Sequence, residues 1–438
     1  MRLLRRAATC TSSVWICVLA MCPAAAAQAV LRIPPVEPSP SLLTIDDAVH
    51  QALDRNLTLL AERYSVSVAQ ARVLAASLRP NPVFTYTALL PDAAIYDTNI
   101  NPRENVFRTD VVFEGGSKRE RRIEVAEQAR SVAELQVLNT MRTIVVDVQS
   151  AFVDVVLAKL NVAIARESLQ AFDDVVRINV ERVRTGDLSR VELARSRLAA
   201  LQFQNDVRQQ ESKLAIARTR LRTLIGRPGD PIDVAGDLRR DAAPLDLDAL
   251  HARALHERPD LLALRRDQAR SSAEVRLQIA QGKVDYTIAG EIHLQRAPVG
   301  SGNEYGLNLS VPVPIFNRNQ GEVERARQEE RQIDARIRAL EADVSAELDA
   351  AYQAYTASRD IVATIERDML AQARDVRAAT EYSYRRGEAS LIEFLDAVRA
   401  FNETMRSYNE ARADYARSLY TLESTTGASV AAFPQVTP

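Results

Sequence analysis

The second half of this sequence repeats the first half at a distance of about 200 residues. Residues 184–193, RTGDLSRVEL, return as residues 385–394, RRGEASLIEF, and the helical pattern after each copy ends at a glycine, Gly226 or Gly427. Such self-similarity indicates a tandem duplication, so the fold of one large unit has to form twice in one chain. The predicted repeats are residues 44–226 and 247–427.

The first 27 residues have the three parts of a secretory signal peptide. Arg2, Arg5 and Arg6 form the positively charged start, residues 14–20 the apolar segment, and residues 23–27 the run of small residues that precedes cleavage. The apolar segment is too short for a membrane-spanning helix, which needs about 20 residues. The signal therefore predicts an exported chain that is cleaved near the end of this segment.

All the cysteines lie within this signal, so the mature chain is predicted to have no disulfide and no thiolate metal site. The tetrapeptide at 19–22, LAMC, also resembles a bacterial lipoprotein cleavage box, which would leave Cys22 acylated. Because Met21 is larger than the small residue usual before that cysteine, simple cleavage after Ala27 is the favoured prediction and lipidation the alternative. The cysteines are Cys10, Cys17 and Cys22.

Charge and composition exclude several classes of protein. The formal net charge is −2, and because the signal contains three arginines and no acid, the mature chain is near −5, which is not typical of a nucleic-acid-binding protein. No phosphate loop, nucleophile elbow or metalloprotease helix is present, so neither an enzyme nor a bound cofactor is predicted. The histidines are scattered and predict no metal site. They are His50, His251, His256 and His293.

Each repeat is predicted to contain a helix, two strands, a very long helix, a tight turn and a second helix. In the first repeat the helix covers residues 44–78, the strands 83–90 and 105–113, and the long helix 117–183. At 1.5 Å per residue the long helix would measure about 100 Å. The second repeat is predicted as a helix at 247–281, strands at 284–294 and 305–316, a long helix at 320–384 and a final helix to 425. The rest is a proline-rich tether at 28–43, a linker with little structure at 227–246 and a tail at 428–438.

The long helix of the first repeat carries a coiled-coil pattern, because its apolar residues alternate steps of three and four. No apolar run of 18 residues follows the signal, which argues against a helical membrane protein but not against a β-barrel, whose strands give only weak signals. The apolar positions of the coiled-coil pattern are Leu138, Met141, Val145, Val148, Phe152 and Val155.

The predicted strands alternate apolar and polar residues over about ten positions, as transmembrane strands do. A half-buried soluble sheet is the alternative for any single hairpin. Four strands cannot close a barrel, which needs about eight, and an open edge in lipid leaves backbone groups unpaired. Three chains that pooled their strands would supply twelve. In the third strand Tyr286, Ile288, Ile292 and Leu294 oppose Asp285, Thr287, Glu291 and His293.

This order of elements resembles the TolC family of bacterial outer-membrane efflux channels, over residues 44–427. The run at 311–321, VPVPIFNRNQG, is similar to the strand-to-helix junction of the CzcC/CusC-like heavy-metal branch. The resemblance implies a mainly α protein with a transmembrane β-barrel. Three chains would form a homotrimer in the bacterial outer membrane, with a 12-stranded barrel in the lipid and an α-helical tunnel across the periplasm.

The resemblance also implies a function. The tunnel would meet a periplasmic adaptor (membrane fusion) protein, which links it to an inner-membrane pump of the RND type in a tripartite efflux system. The cargo would be small solutes, heavy-metal cations or drugs. One alternative is the duct of a type I protein secretion system, and another, from a different class, is a periplasmic coiled-coil scaffold that forms no pore.

Two turns are the predicted contacts for the adaptor. Each contains a glycine that allows a tight turn between antiparallel helices, and the resemblance assigns the residues around it to adaptor binding. The alternative is that they only close a helical hairpin. The first turn consists of Gly186, Asp187, Leu188 and Ser189. The second consists of Gly387, Glu388, Ala389 and Ser390.

The resemblance further implies a gate beside these turns, made from carboxylates and a tyrosine–arginine–carboxylate network. Glu192 and Glu393 each lie six residues after a turn glycine, Asp396 lies one helical turn further, and Tyr384 lies three residues before Gly387. A ring of carboxylates at a constriction favours cations; the alternative is that these acids are ordinary solvated side chains. The arginine of the network is replaced by Ala389, and the substitutes considered are Arg385, Arg386 and Arg190.

Overall fold

The computed structural model describes residues 42–89, 103–240, 245–297 and 300–428. The predicted signal peptide, most of the tether and nearly all of the C-terminal tail lie outside the described residues. Cys22 lies outside them too, so simple cleavage after Ala27 stays the prediction and lipidation of Cys22 the alternative, and mass spectrometry of the mature N-terminus would distinguish them.

Both repeats have the same order of elements. In the first repeat these are α1 (Ile45–Arg55), α2 (Leu57–Ser77), β1 (Val83–Leu89), β2 (Arg103–Phe113), α3 (Lys118–Thr185) and α4 (Arg190–Leu224). In the second they are α5 (Leu247–Glu257), α6 (Pro259–Gln281), β3 (Tyr286–Ala297), β4 (Gly300–Ser310), α7 (Gln320–Thr364), α8 (Leu370–Arg386) and α9 (Leu391–Thr425). A five-residue π-helical stretch, Ile365–Met369, joins α7 to α8.

The first helix of each repeat is two helices, so the single helices predicted at 44–78 and 247–281 are wrong. The first break is at Asn56, whose backbone is extended and whose side-chain oxygen accepts the N–H groups of Thr58 and Leu59. The second is at Arg258, because Pro259 disfavours helical geometry in the residue before it and suits the first position of a helix.

The four strands form one antiparallel sheet in the order β1-β2-β3-β4. One row across the sheet is Tyr86, Phe107, Ile292 and Tyr305, and these side chains lie on its apolar face. The neighbouring row on the opposite face includes Arg108 and Glu291, which form an ion pair of 3.6 Å. The alternation predicted from the sequence is therefore present, and the apolar face is exposed in the single chain, as at Leu307, 82% exposed.

The fourth strand differs from its prediction at both ends. It begins at Gly300 rather than residue 305, and it ends at Ser310 rather than residue 316. Pro312 and Pro314 lack the N–H group that a central strand needs, so the chain leaves the ladder before them. Residues 311–319 then lead irregularly into α7.

The helices pack along their length, with α3 against α2, α4, α6 and α9. The predicted coiled-coil positions of α3 lie in the core, where Val148 and Val155 are fully buried. By length and composition α3 also qualifies as a membrane-spanning helix, contrary to the prediction that no such stretch exists, but half of that stretch is buried in the bundle. The apolar residues of α3 therefore pack in the coiled coil, as those of the core helix of a bundle do.

The segment between the repeats is more ordered than predicted. Val234 forms a parallel β-bridge with Leu43, and the N–H of Ala235 donates to the Leu43 carbonyl at 2.9 Å. Val234 and Leu238 are buried in the same core as α1 and α3. The segment has no helix of its own among the described residues, but it contributes to packing instead of only linking the repeats.

Candidate functional site

The two predicted turns have the same backbone geometry. α3 is capped at its C-terminus by Gly186 with φ 88°, and α8 by Gly387 with φ 80°, a left-handed conformation that favours glycine. In the first turn the Arg182 carbonyl accepts the N–H of Asp187 at 2.8 Å; in the second the Ser383 carbonyl accepts the N–H of Glu388 at 2.9 Å. Both turns therefore end a helix with the same pattern of hydrogen bonds.

The helix after each turn begins with a serine cap. Ser189 accepts the N–H of Glu192 at 3.2 Å, and Ser390 accepts the N–H of Glu393 at 3.3 Å. Only in the second turn does the glutamate carboxylate also accept a hydrogen bond: Glu393 accepts the N–H of Ser390 at 2.7 Å and completes a capping box. These bonds from Ser390, the backbone one first, lower the pKa of Glu393, so this carboxylate is ionised at neutral pH.

An aromatic cluster joins the two helical hairpins next to the turns. Phe172 of α3 stacks on Phe203 of α4 at 4.4 Å and on Phe394 of α9 at 5.3 Å between ring centroids. Tyr384 of α8 stacks on Phe394 at 5.4 Å. Because both repeats contribute rings to one buried cluster, the two turns are held side by side.

Tyr384 is the most enclosed of the predicted gate residues, with 3% of its surface exposed. Its hydroxyl accepts a hydrogen bond from the Asn179 amide at 2.8 Å and donates one to the Asn179 oxygen at 2.9 Å. Burial raises the pKa of Tyr384, and the Glu192 carboxylate raises it too, whereas Asn179 and the Arg182 guanidinium act in the opposite direction. The hydroxyl therefore stays protonated and binds Asn179, not the arginine and carboxylate expected from the resemblance.

The other predicted gate residues are not in one cluster within a single chain. Glu192 lies near Tyr384 and is half-buried, whereas Glu393 belongs to its own helix cap. The Asp396 side chain is 69% exposed, with Arg399 at 3.9 Å. The Glu192 carboxylate thus acts on Tyr384 through its charge, whereas Glu393 and Asp396 are exposed to solvent.

The turn residues predicted to contact an adaptor are accessible in the single chain. All are exposed except Leu188 and Ala389, which are half-buried. Two of the three arginines considered as substitutes in the gate have other partners: Arg385 pairs with Glu381 at 2.6 Å, and Arg386 lies over the Tyr382 ring at 4.5 Å.

Sequence reasoning missed two residues of this site, Asn179 and Arg182. On α3, Asn179 lies four residues after the buried Val175, and Arg182 lies three residues after Asn179. The two polar residues therefore continue the helical face that the apolar residues occupy. A change from apolar to polar residues on one buried helical face was the signal that could have identified them. Among the described residues no group of acidic, histidine or cysteine side chains is arranged to hold a metal ion.

Comparison with known proteins places this arrangement in a family. The sequence profile of the outer membrane efflux protein family matches residues 48–227 and 250–428. The cobalt-zinc-cadmium resistance protein CzcC of Cupriavidus metallidurans is 23% identical over 84% of this chain and 85% of its own length. Nodulation protein T of Rhizobium leguminosarum bv. trifolii is 21% identical over 68% of this chain and 66% of its own length.

Solved structures show the same fold. A structure of CusC aligns with a TM-score of 0.73 at 18% identity, covering 87% of this chain and 92% of the other. The outer-membrane channel CmeC of Campylobacter jejuni aligns with a TM-score of 0.72 at 15% identity, covering 90% of this chain and 87% of the other. The chain therefore belongs to the outer membrane efflux protein family, as a TolC-type outer-membrane channel with a helical periplasmic tunnel and no enzymatic activity.

Proposed function

We propose that this protein is the outer-membrane channel of a tripartite efflux system and conducts small solutes, with heavy-metal cations as the first candidate cargo. It would receive them from a periplasmic adaptor and an inner-membrane RND-type pump. The observation that carries the proposal is the four-stranded sheet, which has one exposed apolar face and one polar face.

The open edges of the sheet support a homotrimer. Among the described residues β1 and β4 each pair with another strand on one side only, and unpaired backbone groups are costly in lipid. Three chains joined edge to edge would close a barrel of twelve strands. The row from Tyr86 to Tyr305 would then face outer-membrane lipid, while Arg108 and Glu291 would line the lumen.

The long helices support a contact with an adaptor. α3 has 68 residues, which corresponds to about 100 Å between the sheet and the first turn. The exposed turn residues would therefore lie deep in the periplasm, where an adaptor is accessible. Asp187, Ser189, Glu388 and Ser390 present polar groups there.

The choice of cargo rests on charge and on a relative. Glu393 and Asp396 are exposed acids, and three copies would place six carboxylates around the end of the tunnel. Such a ring attracts cations and repels anions. CzcC carries cobalt-zinc-cadmium resistance in its name, which agrees with a cationic cargo.

The channel is tested with purified protein. We expect a trimer that requires detergent and forms cation-selective pores in planar bilayers. Glu393→Ala combined with Asp396→Ala should lower the cation selectivity and weaken block by trivalent cations without dissociating the trimer. Asp368→Ala, which removes an exposed acid of the π-helical stretch, is the matched control. A water-soluble monomer would contradict the architecture, and unchanged selectivity and block in the double variant would contradict the gate.

The cargo is tested in the source bacterium by deleting the gene. We expect increased sensitivity to cobalt, zinc or cadmium that the wild-type gene restores. Sensitivity to drugs alone would replace the metal proposal with drug efflux. Loss of a secreted polypeptide without any change in sensitivity would indicate a type I secretion duct instead.

A further inference from the structure

A cluster of charged side chains surrounds His293 on the polar face of the sheet. The Nδ1 atom of His293 on β3 contacts the Glu104 carboxylate of β2, and its Nε2 atom lies 3.4 Å from the Glu291 carboxylate. Arg108 of β2 lies 3.6 Å from Glu291 and binds Asp110 at 2.8 Å. The imidazole therefore lies between two carboxylates, one of which also interacts with an arginine.

Gly306 leaves room for one of these carboxylates. It lies directly across from Glu291 on β4, and a Cβ atom placed on it would be 2.6 Å from the Glu291 Cγ atom and 2.7 Å from its Oε1 oxygen. Gly302 lies four residues earlier on the same face of β4, and a Cβ atom there would meet no other residue within 4 Å. The Glu291 side chain thus occupies the space that a larger residue at 306 would need, so its position depends on that glycine.

One further charge of the described residues faces the histidine. Glu304 of β4 lies directly opposite His293 and is exposed, whereas the residue opposite on β2 is Val106. β1 contributes only the uncharged Thr85 and Thr87 to the neighbouring rows. With four carboxylates and one arginine, the cluster of each chain has three excess negative charges when the imidazole is neutral and two when it is protonated. The carboxylates are those of Glu104, Asp110, Glu291 and Glu304.

The cluster lies toward the end of the sheet that is remote from the helices. His293 is seven residues after Tyr286, where β3 begins, and four before Ala297, where it ends. It therefore lies about 20 Å along the strand from the side that the helices join. In the proposed trimer the polar face of the sheet lines the lumen, so the medium outside the cell reaches the imidazole.

The protonation state of an imidazole determines how many carboxylates it can bind. A neutral imidazole has one N–H donor, whereas an imidazolium has two and carries a positive charge. An imidazolium can therefore donate to Glu104 and Glu291 together. A neutral ring can donate to only one of them, which leaves the other carboxylate to interact with passing ions. Because histidine ordinarily titrates between pH 5 and pH 8, a moderate change in pH can change the charge of the cluster.

We propose that His293 is a specificity-determining residue that makes the cation preference of the barrel lumen depend on the pH outside the cell. When the imidazoles of three chains are protonated, they add three positive charges and bind both carboxylates of each cluster. When they are neutral, the lumen is more negative and favours cations more strongly.

This inference rests on the proposed channel function, but it concerns the other end of the conduction path from Glu393 and Asp396. The 68 residues of α3 separate the sheet from the turns by about 100 Å. That distance is about ten Debye lengths at 0.1 M salt. The two groups of charges therefore act on ions independently and can be tested separately.

The first test is the reversal potential of trimers in planar bilayers under a salt gradient, from about pH 5 to about pH 9, a range that includes the ordinary titration of histidine. We expect the ratio of cation to anion permeability of the wild type to be about twofold higher at the alkaline end. Three screened charges about 10 Å from the path of an ion produce a change of that size. His293→Gln should keep the high ratio, and His293→Lys the low ratio, at every pH.

The matched control is His251→Gln. His251 of α5 also contacts a carboxylate, that of Asp349 on α7 at 2.9 Å, but it lies about 40 Å along α7 from the sheet. This variant should keep the wild-type pH profile. A wild-type profile in His293→Gln, or a flat profile in His251→Gln, would overturn the proposal. In about 1 M salt the Debye length is about 3 Å, so a pH effect of undiminished size there would overturn it too.

The second test asks whether the contact between His293 and Glu291 matters, in addition to the charge of the imidazole. Gly306→Ala places a methyl group where the Glu291 side chain lies, so the imidazole should lose one of its two carboxylate partners. The midpoint of the pH profile should then move. Gly302→Ala, on the same face of the same strand, should keep the wild-type midpoint. Equal midpoints in the two variants would contradict the role of this contact.

The outcomes separate this inference from the channel proposal. If Glu393→Ala with Asp396→Ala changes the ion selectivity but His293→Gln has the same pH profile as the wild type, the channel stands and the inference on His293 falls. If the protein forms no conducting trimer, the proposed function falls first. Melting temperatures of all variants confirm that each trimer is folded before its selectivity is compared.

Discussion

The two turns have nearly the same sequence and the same backbone, yet their glutamates do different things. Glu393 is exposed and returns to the N–H of Ser390, whereas Glu192 forms no such bond to any described residue and is half-buried near Tyr384. The sequence motif determines the backbone conformation of each turn, whereas the packing of the neighbouring hairpin determines the environment of its glutamate. The two turns are therefore alike in backbone but differ in side-chain chemistry.

The breaks in the first helices show the same divergence. Asn56 caps α2 with its side-chain oxygen and donates to the Leu224 carbonyl at 2.9 Å. At the equivalent place Arg258 is almost fully buried and binds Asp260 and Glu347, each at 2.5 Å. The first repeat thus has a neutral amide at the break, whereas the second repeat has a group of charged side chains. Arg142 belongs to this group, because its guanidinium lies 3.6 Å from the Asp260 carboxylate.

Although the two breaks differ in chemistry, a glycine packs against each of them in the same way. A Cβ atom on Gly226 would lie 2.6 Å from the Arg55 carbonyl oxygen, and one on Gly427 would lie 3.0 Å from that of Glu257. Both glycines have positive φ, at 72° and 77°. The end of the last helix of each repeat therefore packs directly on the break in its first helix, so the break belongs to the shared architecture and only its chemistry has diverged.

The largest expected effect is at the charged break. Asp260→Asn removes a carboxylate that serves two largely buried arginines, and breaking a buried ion pair costs about 3 kcal/mol. We expect the free energy of unfolding of the trimer in detergent to fall by about that amount. Asp368→Asn, in an exposed pair with Arg367, is the control and should change it little. A loss no larger than that of the control would mean that the charges do not stabilise the break.

The same carboxylate predicts a pH dependence. Burial acts to raise the pKa of Asp260, but the hydrogen bond and charge of Arg258, together with the charge of Arg142, bring it below its ordinary value of 3.8. A carboxyl group with a lowered pKa in the folded state contributes stability above its unfolded pKa and loses it as the pH falls through the folded one. Stability should therefore drop below about pH 4, and Asp260→Asn should flatten that drop.

The next effect concerns a residue that only the second turn has. Tyr384 corresponds to Val183 in the first repeat, and its hydroxyl is the partner of Asn179, which is fully buried. Tyr384→Phe leaves a buried amide without that partner, which costs about 2 kcal/mol. We expect this loss in denaturant unfolding, together with a higher resting conductance. Tyr382→Phe, an exposed tyrosine of the same helix, should leave both measurements unchanged, and equal effects in the two variants would contradict the assignment.

The neutral break should respond less than the charged one. Asn56→Ala removes the cap of α2 and the bond to Leu224, and such caps contribute about 1 kcal/mol. Asn56→Asp keeps the acceptor for Thr58 and Leu59 but loses the donor to Leu224, so it separates the two contributions. We expect its unfolding free energy to lie between those of Asn56→Ala and the wild type; a value at or below that of Asn56→Ala would show that the Leu224 bond carries the effect.

The features of the fold that depend on the periodicity of apolar residues could be predicted from the sequence. Alternation in residues 284–294 predicted which side chains of β3 share a face, and steps of three and four predicted the buried stripe of α3 from Met141 to Val155. The end of β4 was also readable, since Pro312 and Pro314 mark it, but the apolar alternation continues past them and led to the wrong boundary.

The contacts between repeats could not be predicted in this way. Asn56 gives little signal of a helix break until the end of α4 packs beside it, and Arg182 looks like an ordinary charged residue near a helix end. Its place on the second turn depends on how two hairpins lie together, about 200 residues apart in the chain. Candidate gate residues could therefore be chosen by residue type, but their contacts with the other repeat could not be predicted.

The smallest expected effect compares the two turn glutamates directly. Glu393→Gln weakens a capping box and removes a negative charge from the start of a helix, so the melting temperature should fall slightly. Glu192→Gln should leave the melting temperature almost unchanged, because its carboxylate is not part of the cap. It should instead lower the pKa of Tyr384, since the Glu192 charge acts to raise it, and NMR of labelled tyrosine ring carbons would show this. Glu393→Gln should not move that pKa. If both variants shift the Tyr384 titration equally, or both lower the melting temperature equally, the two turns have the same chemistry and the division of roles between them is wrong.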